Sequence, residues 1–364
     1  MATTVRKWIG TTPGGTPRAL TPSMVLIALI GLLTLVVLAA AGKGAVVIAP
    51  MEIARMVLHA LGIGAREGFS DQQWAVFTTL RVPRVILAVL TGAGLAMAGA
   101  VTQGMFRNPL ADPSLIGVSS GAALAATSAI VLGTTPSLHF LALLRPVLVP
   151  LAAFAGGLLA VLFVRRVASR EGRTSLPAML LAGIAITALA EAGIGFFSSI
   201  STDEQLRNIT FWRLGSLGAA SWPMLAIIVP AALIGLIPLT RLAHALDAFA
   251  LGERQAVHIG VDAQRVKNRA IVWCALVVGA IVSVTGIIWF VGLLAPHMVR
   301  LVCGPGHRLL LPASALLGAT LVTVADLMAR TLLAPAELPI GVLTAFIGVP
   351  LFLMLLRQRQ SWIV

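Results

Sequence analysis

Charge is what this chain has little of. Only 11% of its 364 residues are Asp, Glu, Lys or Arg, and 58% are hydrophobic. A water-soluble chain of this size carries about 25% charged and about 45–50% apolar residues, so much of this surface must face something other than water. Acidic residues are the scarcest, 13 against 26 Lys and Arg, which leaves a net charge of +13. Cysteine is nearly missing. Cys274 lies in an apolar run and Cys303 in a loop between runs, which speaks against a disulfide framework and against a thiolate metal site. Catalytic motifs are missing too. Without a Gly-x-x-x-x-Gly-Lys-Ser/Thr phosphate loop the chain is not expected to hydrolyse ATP by itself. The lack of His-Glu-x-x-His, and of Gly-x-Ser-x-Gly within the apolar runs, argues against an intramembrane metalloprotease or serine hydrolase. No selectivity-filter repeat points to an ion channel. The positive charge is spread between apolar runs, with no zinc, homeodomain or RNA-binding signature, so nucleic acid is not the expected partner.

What is present is a series of long apolar runs. About 20 such residues span a bilayer core. Hydropathy predicts spans near 24–42, 82–105, 115–133, 146–164, 176–198, 222–240, 269–291, 309–333 and 339–356, with a shorter piece at 292–302. Counting that piece, the chain is an all-α polytopic membrane protein of about ten helices. Gly (35) and Pro (20) fall inside the apolar runs, where membrane helices use Gly for close packing and tolerate Pro kinks. Arg6, Lys7 and Arg18 precede the first run in the manner of a signal peptide. That run is longer than a usual signal core and many spans follow, so it reads as an uncleaved first helix.

Lys and Arg collect on the cytoplasmic side of a membrane. Placing the N-terminus inside leaves only nine of the 26 outside: Lys43, Arg55, Arg66, Arg81, Arg84, Arg145, Arg207, Arg213 and Arg330. Both termini are then cytoplasmic. Residues 1–23 form a cytoplasmic tail and 24–364 a single membrane domain. Two hydrophilic interruptions are long: 43–80 outside, and 241–269 inside. The inner one mixes Leu246, Phe249, Leu251, Val257 and Ile259 with charges, and Ala250-Leu-Gly-Glu253 with Gly260 predicts two short helices with a break. Such a segment either lies on the membrane surface or docks a partner protein. The intervals Gly92–Gly99–Pro109 recur as Gly279–Gly286–Pro296, the mark of an internal repeat of the kind transporters are built from. Glu191 sits inside an apolar span, where an acid is a functional candidate by default. With Asp326 it would be a proton carrier if the chain were a gradient-driven secondary transporter.

Several stretches, in order, resemble permease subunits of type II ATP-binding-cassette importers, which take up vitamin B12, ferric siderophores and haem. They are Arg81-Val-Pro-Arg84 with Gly92-Ala-Gly-Leu-Ala-Met-Ala-Gly99; Gln103-Gly-Met-Phe-Arg-Asn108-Pro-Leu-Ala-Asp-Pro113 with Gly117-Val-Ser-Ser-Gly121; Leu181-Ala-Gly183; Ala250-Leu-Gly-Glu253; Phe290-Val-Gly-Leu-Leu-Ala-Pro-His297 with Arg300; and Glu337-Leu-Pro-Ile-Gly341. The segment Ser201–Arg207 with Phe211-Trp-Arg-Leu-Gly-Ser-Leu-Gly218 is most similar to haem permeases.

The resemblance implies a ten-helix subunit in a bacterial inner membrane. It pairs with a second copy, with two ATPase subunits that hold ATP and Mg, and with a periplasmic binding protein that delivers haem or a related chelate. No cofactor or metal is expected in this chain. Arg81, Arg84 and Arg330 would meet carboxylates of the binding protein, a pairing that suits the guanidinium fork; membrane snorkelling is the rival reading, and Asp326, one turn before Arg330, is a rival partner within the chain. Leu251, Gly252, Glu253 and Gly260 would lie in the segment that couples to the ATPase. Thr174 and Ser175, together with Asn108 and Leu110, match cytoplasmic gates. The six histidines are not read as haem ligands, because capture belongs to the binding protein.

Overall fold

The computed structural model describes residues 21–133, 145–171 and 173–360. Residues 1–20 of the expected tail and His139 lie outside the described residues. Among the described residues, seven helices are long and apolar enough to cross a membrane, and three shorter apolar ones, Val118–Leu132, Val291–Cys303 and Ile340–Met354, bring the number to the expected ten.

The chain opens on α1 (Pro22–Gly42), whose first turn is capped by the Thr21 hydroxyl. A short amphipathic helix, α2 (Pro50–Ala60), and α3 (Asp71–Ala75) follow. The ladder then widens into a π turn over Val76–Arg81 before α4 (Val82–Phe106). Pro83 has no N–H to close an α-helical bond to the preceding turn, which accounts for the irregularity there. The single expected span at 82–105 is thus the lower part of a longer helical column.

A 3-10 turn (Pro113–Ile116) leads to α5 (Val118–Leu132), and α6 spans Arg145–Ala168. A two-residue hairpin, β1 (Ser169–Arg170) against β2 (Arg173–Thr174), interrupts the helices. Next come α7 (Leu176–Ser199), α8 (Asp203–Leu214) and α9 (Trp222–Thr240). The expected pair of short helices is α10 (Ala243–Ala250) and α11 (Glu253–His258). The long helix expected at 269–291 is α12, Ala263–Thr285. Asp262 starts it early by accepting from the Arg265 amide, and Gly286 stops it with φ +67. The chain ends with α13 (Val291–Cys303), α14 (His307–Thr331) and α15 (Ile340–Gln360).

Lipid tails give helices no hydrophobic reason to associate, so close backbone approach at small residues holds the bundle together. A Cβ at Gly92 would collide with the Gly318 backbone of α14, one at Gly99 with Gly292 of α13, and one at Gly121 with Ala160 and Gly156 of α6. The internal repeat is visible in the packing. Helix α4 lies on α14 and α13, while α12 lies on α6 and α5, so each half exchanges partners with the other. Gly92 facing α14 has its counterpart in Gly279, which faces Phe154 of α6 more loosely.

The bundle has two distinct ends. At one, the C-terminus of α1 meets the start of α4 and the end of α14, through Arg81 and Arg330. At the other, α10 is tied to the start of α14, where Asp247 accepts from the His307 amide at 2.8 Å and lies 2.7 Å from its Nδ1.

Candidate functional site

The second end carries a cleft of about 1160 Å³. Its floor follows from local sequence. The hairpin after α6 pairs Ser169 with Thr174, whose hydroxyls lie 2.9 Å apart. Ser175 then caps α7 by accepting from the Ala178 amide. Thr174 is thereby buried at the foot of α7, with Ser175 exposed beside it.

The opposite wall is the segment between α10 and α12. Ala248, Phe249, Ala256, Ala263 and Val266 form its own small apolar core. That core leaves Leu251 (66% exposed) and Ile259 exposed outside it, and Val257 exposed at the mouth of the cleft. Between the short helices, Gly252 has φ +116, where an L side chain is strained. A Cβ there would also strike the Gln255 side chain.

A polar network joins the two walls. Lys267, on α12, is only 5% exposed. Its ammonium donates to Glu253 Oε1 at 2.5 Å and to the Thr174 carbonyl at 3.2 Å. Gln264, one turn earlier, accepts from the Thr174 amide at 3.0 Å and donates to its Oγ1 at 2.8 Å. Thr174, Ser175, Gly252 and Glu253 all line the cleft, as does Arg107 at the end of α4. Of the other residues singled out in the sequence, Leu251 borders the turn but points outward, and Gly260 is an exposed turn glycine with φ +88. Asn108 and Leu110 form an adjoining exposed turn in which Asn108 Oδ1 accepts from the Leu110 amide at 3.0 Å.

Lys267 and Gln264 are the residues sequence reading missed. The signal was present. Ala263, Val266, Lys267, Ala270, Ile271 and Cys274 are all buried and follow one helical stripe, so Lys267 sits on the inward face rather than among the solvated basic residues around it.

At the first end, the three arginines expected to meet carboxylates of a binding protein are engaged within the chain. Arg81 is 4% exposed. Its guanidinium donates to the carbonyls of Ala41 (2.5 Å), Gly42 (2.8 Å) and Val46. It thus adds a cationic donor at the carbonyl end of α1, where the Gly42 carbonyl also accepts from the Ile48 amide. Arg84 donates through Nε to Asp326 Oδ1 and through Nη1 and Nη2 to the two Glu337 oxygens, each at 2.9 Å. Arg330 donates to the Ala40 carbonyl at 2.9 Å, and its Nε lies 3.2 Å from Asp326 Oδ2. All three arginines, read from the sequence as docking residues, are thus also engaged within the chain, and Asp326, the rival partner weighed for Arg330, lies beside both Arg330 and Arg84. Helix carbonyls and two carboxylates lie within reach, and a buried guanidinium without partners would be far costlier. The Arg84 hydrogen bonds hold the Glu337 carboxyl below the usual glutamate range.

The other candidates are structural neighbours of charge as well. Glu191 accepts from Arg213 Nη2 through both oxygens at 2.9 Å. Asp326 serves two arginines. Gln103, deep in α4, accepts from Arg300 at 3.0 Å and donates to the Gly292 and Leu293 carbonyls, fastening α13 to α4. Among the described residues, no three of His, Cys, Asp and Glu form a metal-binding group.

The chain and its fold are similar to those of known proteins. Residues 32–358 match the model of the FecCD transport family. The chain is 43% identical over 300 residues to the hemin transport system permease protein HmuU of Yersinia pestis, covering 80% of this chain and 86% of that one. It is 40% identical over 293 residues to the cobalamin import system permease protein BtuC of Halobacterium salinarum, covering 80% and 76%. To the Fe(3+) dicitrate transport system permease protein FecD of Escherichia coli it is 38% identical over 290 residues, covering 79% and 87%. A solved structure described as an inward-facing conformation of a metal-chelate type ABC transporter superposes with a TM-score of 0.79 at 30% identity, covering 92% of this chain and 99% of that one.

Proposed function

The chain belongs to the FecCD transport family as a multi-pass permease of an ABC importer, and from that membership we propose that it carries haem inward across a bacterial inner membrane. One observation carries the mechanism. The ATPase-coupling residues Gly252 and Glu253 and the gate residues Thr174 and Ser175 line the same cleft, so a push on one wall is felt by the other.

In this reading the end bearing α10 and α11 faces the cytoplasm, as do both termini. The exposed Leu251, Val257 and Ile259, beside Arg254 and Arg265, make an apolar-and-basic contact surface for an ATPase subunit. That subunit holds ATP and Mg, and this chain contributes no cofactor and no catalysis. Leu251, Gly252, Glu253 and Gly260 transmit the ATPase movement. Thr174 and Ser175, with Asn108 and Leu110, close the pathway below the cargo. The opposite end receives a periplasmic binding protein, and Arg84 is the arginine best placed to exchange its exposed partner Glu337 for an incoming carboxylate.

A second copy completes the pathway. Helix α7 buries only Met179, Gly183, Ala190 and Ile194 along its length. Its outer half carries the partly exposed Glu191–Arg213 pair. An ion pair facing lipid is strongly disfavoured, so this side of α7 borders the second copy and the aqueous route between the two.

The preference for haem rests on the similarity to the hemin permease and on the 201–218 segment. Vitamin B12 and ferric chelates are the alternatives, since permeases for both are nearly as similar. Reconstitution with the cognate ATPase and binding protein tests the reading, with haem, a B12 analogue and a ferric siderophore supplied side by side. Haem uptake that needs ATP and both partners is expected. Uptake by the isolated chain, driven by an ion gradient, would overturn it.

A further inference from the structure

We propose that Lys267 is the positioning residue that transmits movement of the ATPase-coupling segment to the gate. The inference rests on the coupling and gate assignments above and goes beyond them by naming the link.

The ammonium of Lys267 is buried, and a buried ammonium must keep its partners or suffer a large desolvation cost. The two partners it has belong to different moving parts. Glu253 opens α11, in the segment that projects toward the ATPase. The Thr174 carbonyl belongs to the residue immediately before the Ser175 cap of α7. The distances are 2.5 Å and 3.2 Å, so one ammonium holds both parts at once. Lys267 itself stands on α12, which packs on α4, α6 and α9 and is, with α4, one of the two most deeply buried long helices. The anchor is therefore the part embedded in the bundle, and its two partners are the parts that move.

Gln264 shows what the network is built for. It grips Thr174 twice, through the amide N–H and the hydroxyl, and its remaining bond, to Asn268 Oδ1, stays within α12. Thr174 is thus already held to α12 without Lys267. What Lys267 adds is the connection to Glu253. If α11 is displaced, Glu253 leaves and the ammonium keeps only a neutral carbonyl. It then either follows Glu253, dragging the foot of α7, or releases Thr174. Either response changes the gate.

The test uses the complete complex of permease, ATPase and binding protein in nanodiscs or liposomes, reading ATP hydrolysis and uptake together. The cargo is haem, or whichever of the three chelates the unmodified complex carries. Lys267→Met keeps the aliphatic stem and removes the charge. It should leave the complex assembled and hydrolysing ATP, while cargo moved per ATP falls at least tenfold. Lys267→Arg should restore much of that ratio. Glu253→Gln, which leaves the lysine in place, should lower the ratio several-fold. Combining it with Lys267→Met should add little. The proposal is overturned if Lys267→Met reduces hydrolysis and uptake in equal proportion. It is also overturned if Lys267→Met does not assemble and Glu253→Gln leaves the ratio unchanged. An unmodified complex that moves none of the three chelates would instead count against the importer reading itself.

Discussion

Arg84 holds Glu337 with both Nη atoms of its guanidinium fork, two bonds of 2.9 Å spanning 253 positions of sequence. The third donor used, Nε, reaches the buried Asp326. This one side chain therefore pins the start of α4 to the end of α14 and to the loop that follows. Because Glu337 is half exposed, the grip is also the part of the cluster that solvent and an approaching protein can reach.

The Glu337 carboxyl is held below the ordinary glutamate range by the Arg84 hydrogen bonds. A carboxylate depressed in the folded state stabilises fully above its unfolded pKa, and that stabilisation is lost as pH falls through the folded value. Glu337→Gln should therefore lower the thermal stability of the detergent-solubilised protein at neutral pH, by a loss on the order of 1 kcal/mol for so exposed a pair. The gap between the two proteins should close on acidification below about pH 4, the unperturbed glutamate value. A gap that stays constant through that window would mean that the ion pair does not contribute.

Helix crossings at glycine set a sharper expectation. The site for a Cβ at Gly99 is filled by the Gly292 backbone, which has no side chain to swing aside, whereas Gly31 on α1 has nothing within 4 Å. Gly99→Ala should destabilise by about 1–3 kcal/mol or more through overpacking. Gly31→Ala should be neutral or stabilising by up to about 1 kcal/mol through helix propensity. Paired thermal unfolding curves decide this, and similar values for the two would refute the close crossing of α4 and α13.

Much of this architecture was legible beforehand, for physical reasons. Apolar runs report the membrane directly, so the ten helices and the broken pair α10–α11 could be read from residues alone. The misplaced boundaries have local causes. Hydropathy does not register the Gly286 stop or the Asp262 cap, and α12 is shifted toward the N-terminus accordingly. The small hairpin at 169–174 was invisible, because two-residue strands leave no alternating pattern. At the site, sequence brought out Thr174 and Glu253 but not their connection. Lys267 falls within the hydrophilic 241–269 interruption, and only its place in the buried stripe of α12 sets it apart. The arginines are legible as charge at helix ends, while the carbonyls and carboxylates that Arg81, Arg84 and Arg330 also touch come from distant segments and leave no local trace.

Gly252 joins α10 to α11 with φ +116. A tryptophan there meets both the backbone strain, about 1–3 kcal/mol for a residue held in a sparsely populated region, and the Gln255 side chain. The turn at Gly252 and α11 rest on the small core around Phe249 and Ala256, while α10 stays anchored in the main bundle through Leu246, so the damage should stay local. Gly252→Trp is expected to leave helix content and melting of the membrane part near normal, while coupled ATP turnover drops by about tenfold or more, the equivalent of 1.4 kcal/mol and upward. Normal coupled transport by this variant would remove Gly252 from the coupling surface.

The arginines at the opposite end separate by what they touch. Arg81 gives its guanidinium to three carbonyls at the end of α1 and the turn after it, and has almost no exposed surface. Arg84 shares one carboxylate that solvent can reach. Arg81→Glu should therefore act mainly on folding, because it replaces three donors with a buried anion facing carbonyl oxygens, and the yield of folded protein should fall sharply. Arg84→Glu combined with Glu337→Lys keeps an opposed pair while reversing its sense, although Asp326 then loses one of its two cations. If docking uses Arg84, this swapped variant should fold better than Arg84→Glu alone yet bind the binding protein at least tenfold more weakly, since buried charge pairs at interfaces cost about 2–5 kcal/mol to break. Glu337→Ala, which removes the internal competitor, should bind it more tightly than the unmodified chain. Affinities measured in nanodiscs at two salt concentrations check both. Unchanged docking by the swapped variant would leave Arg84 as a fastener of α4 to α14 and move the docking surface elsewhere.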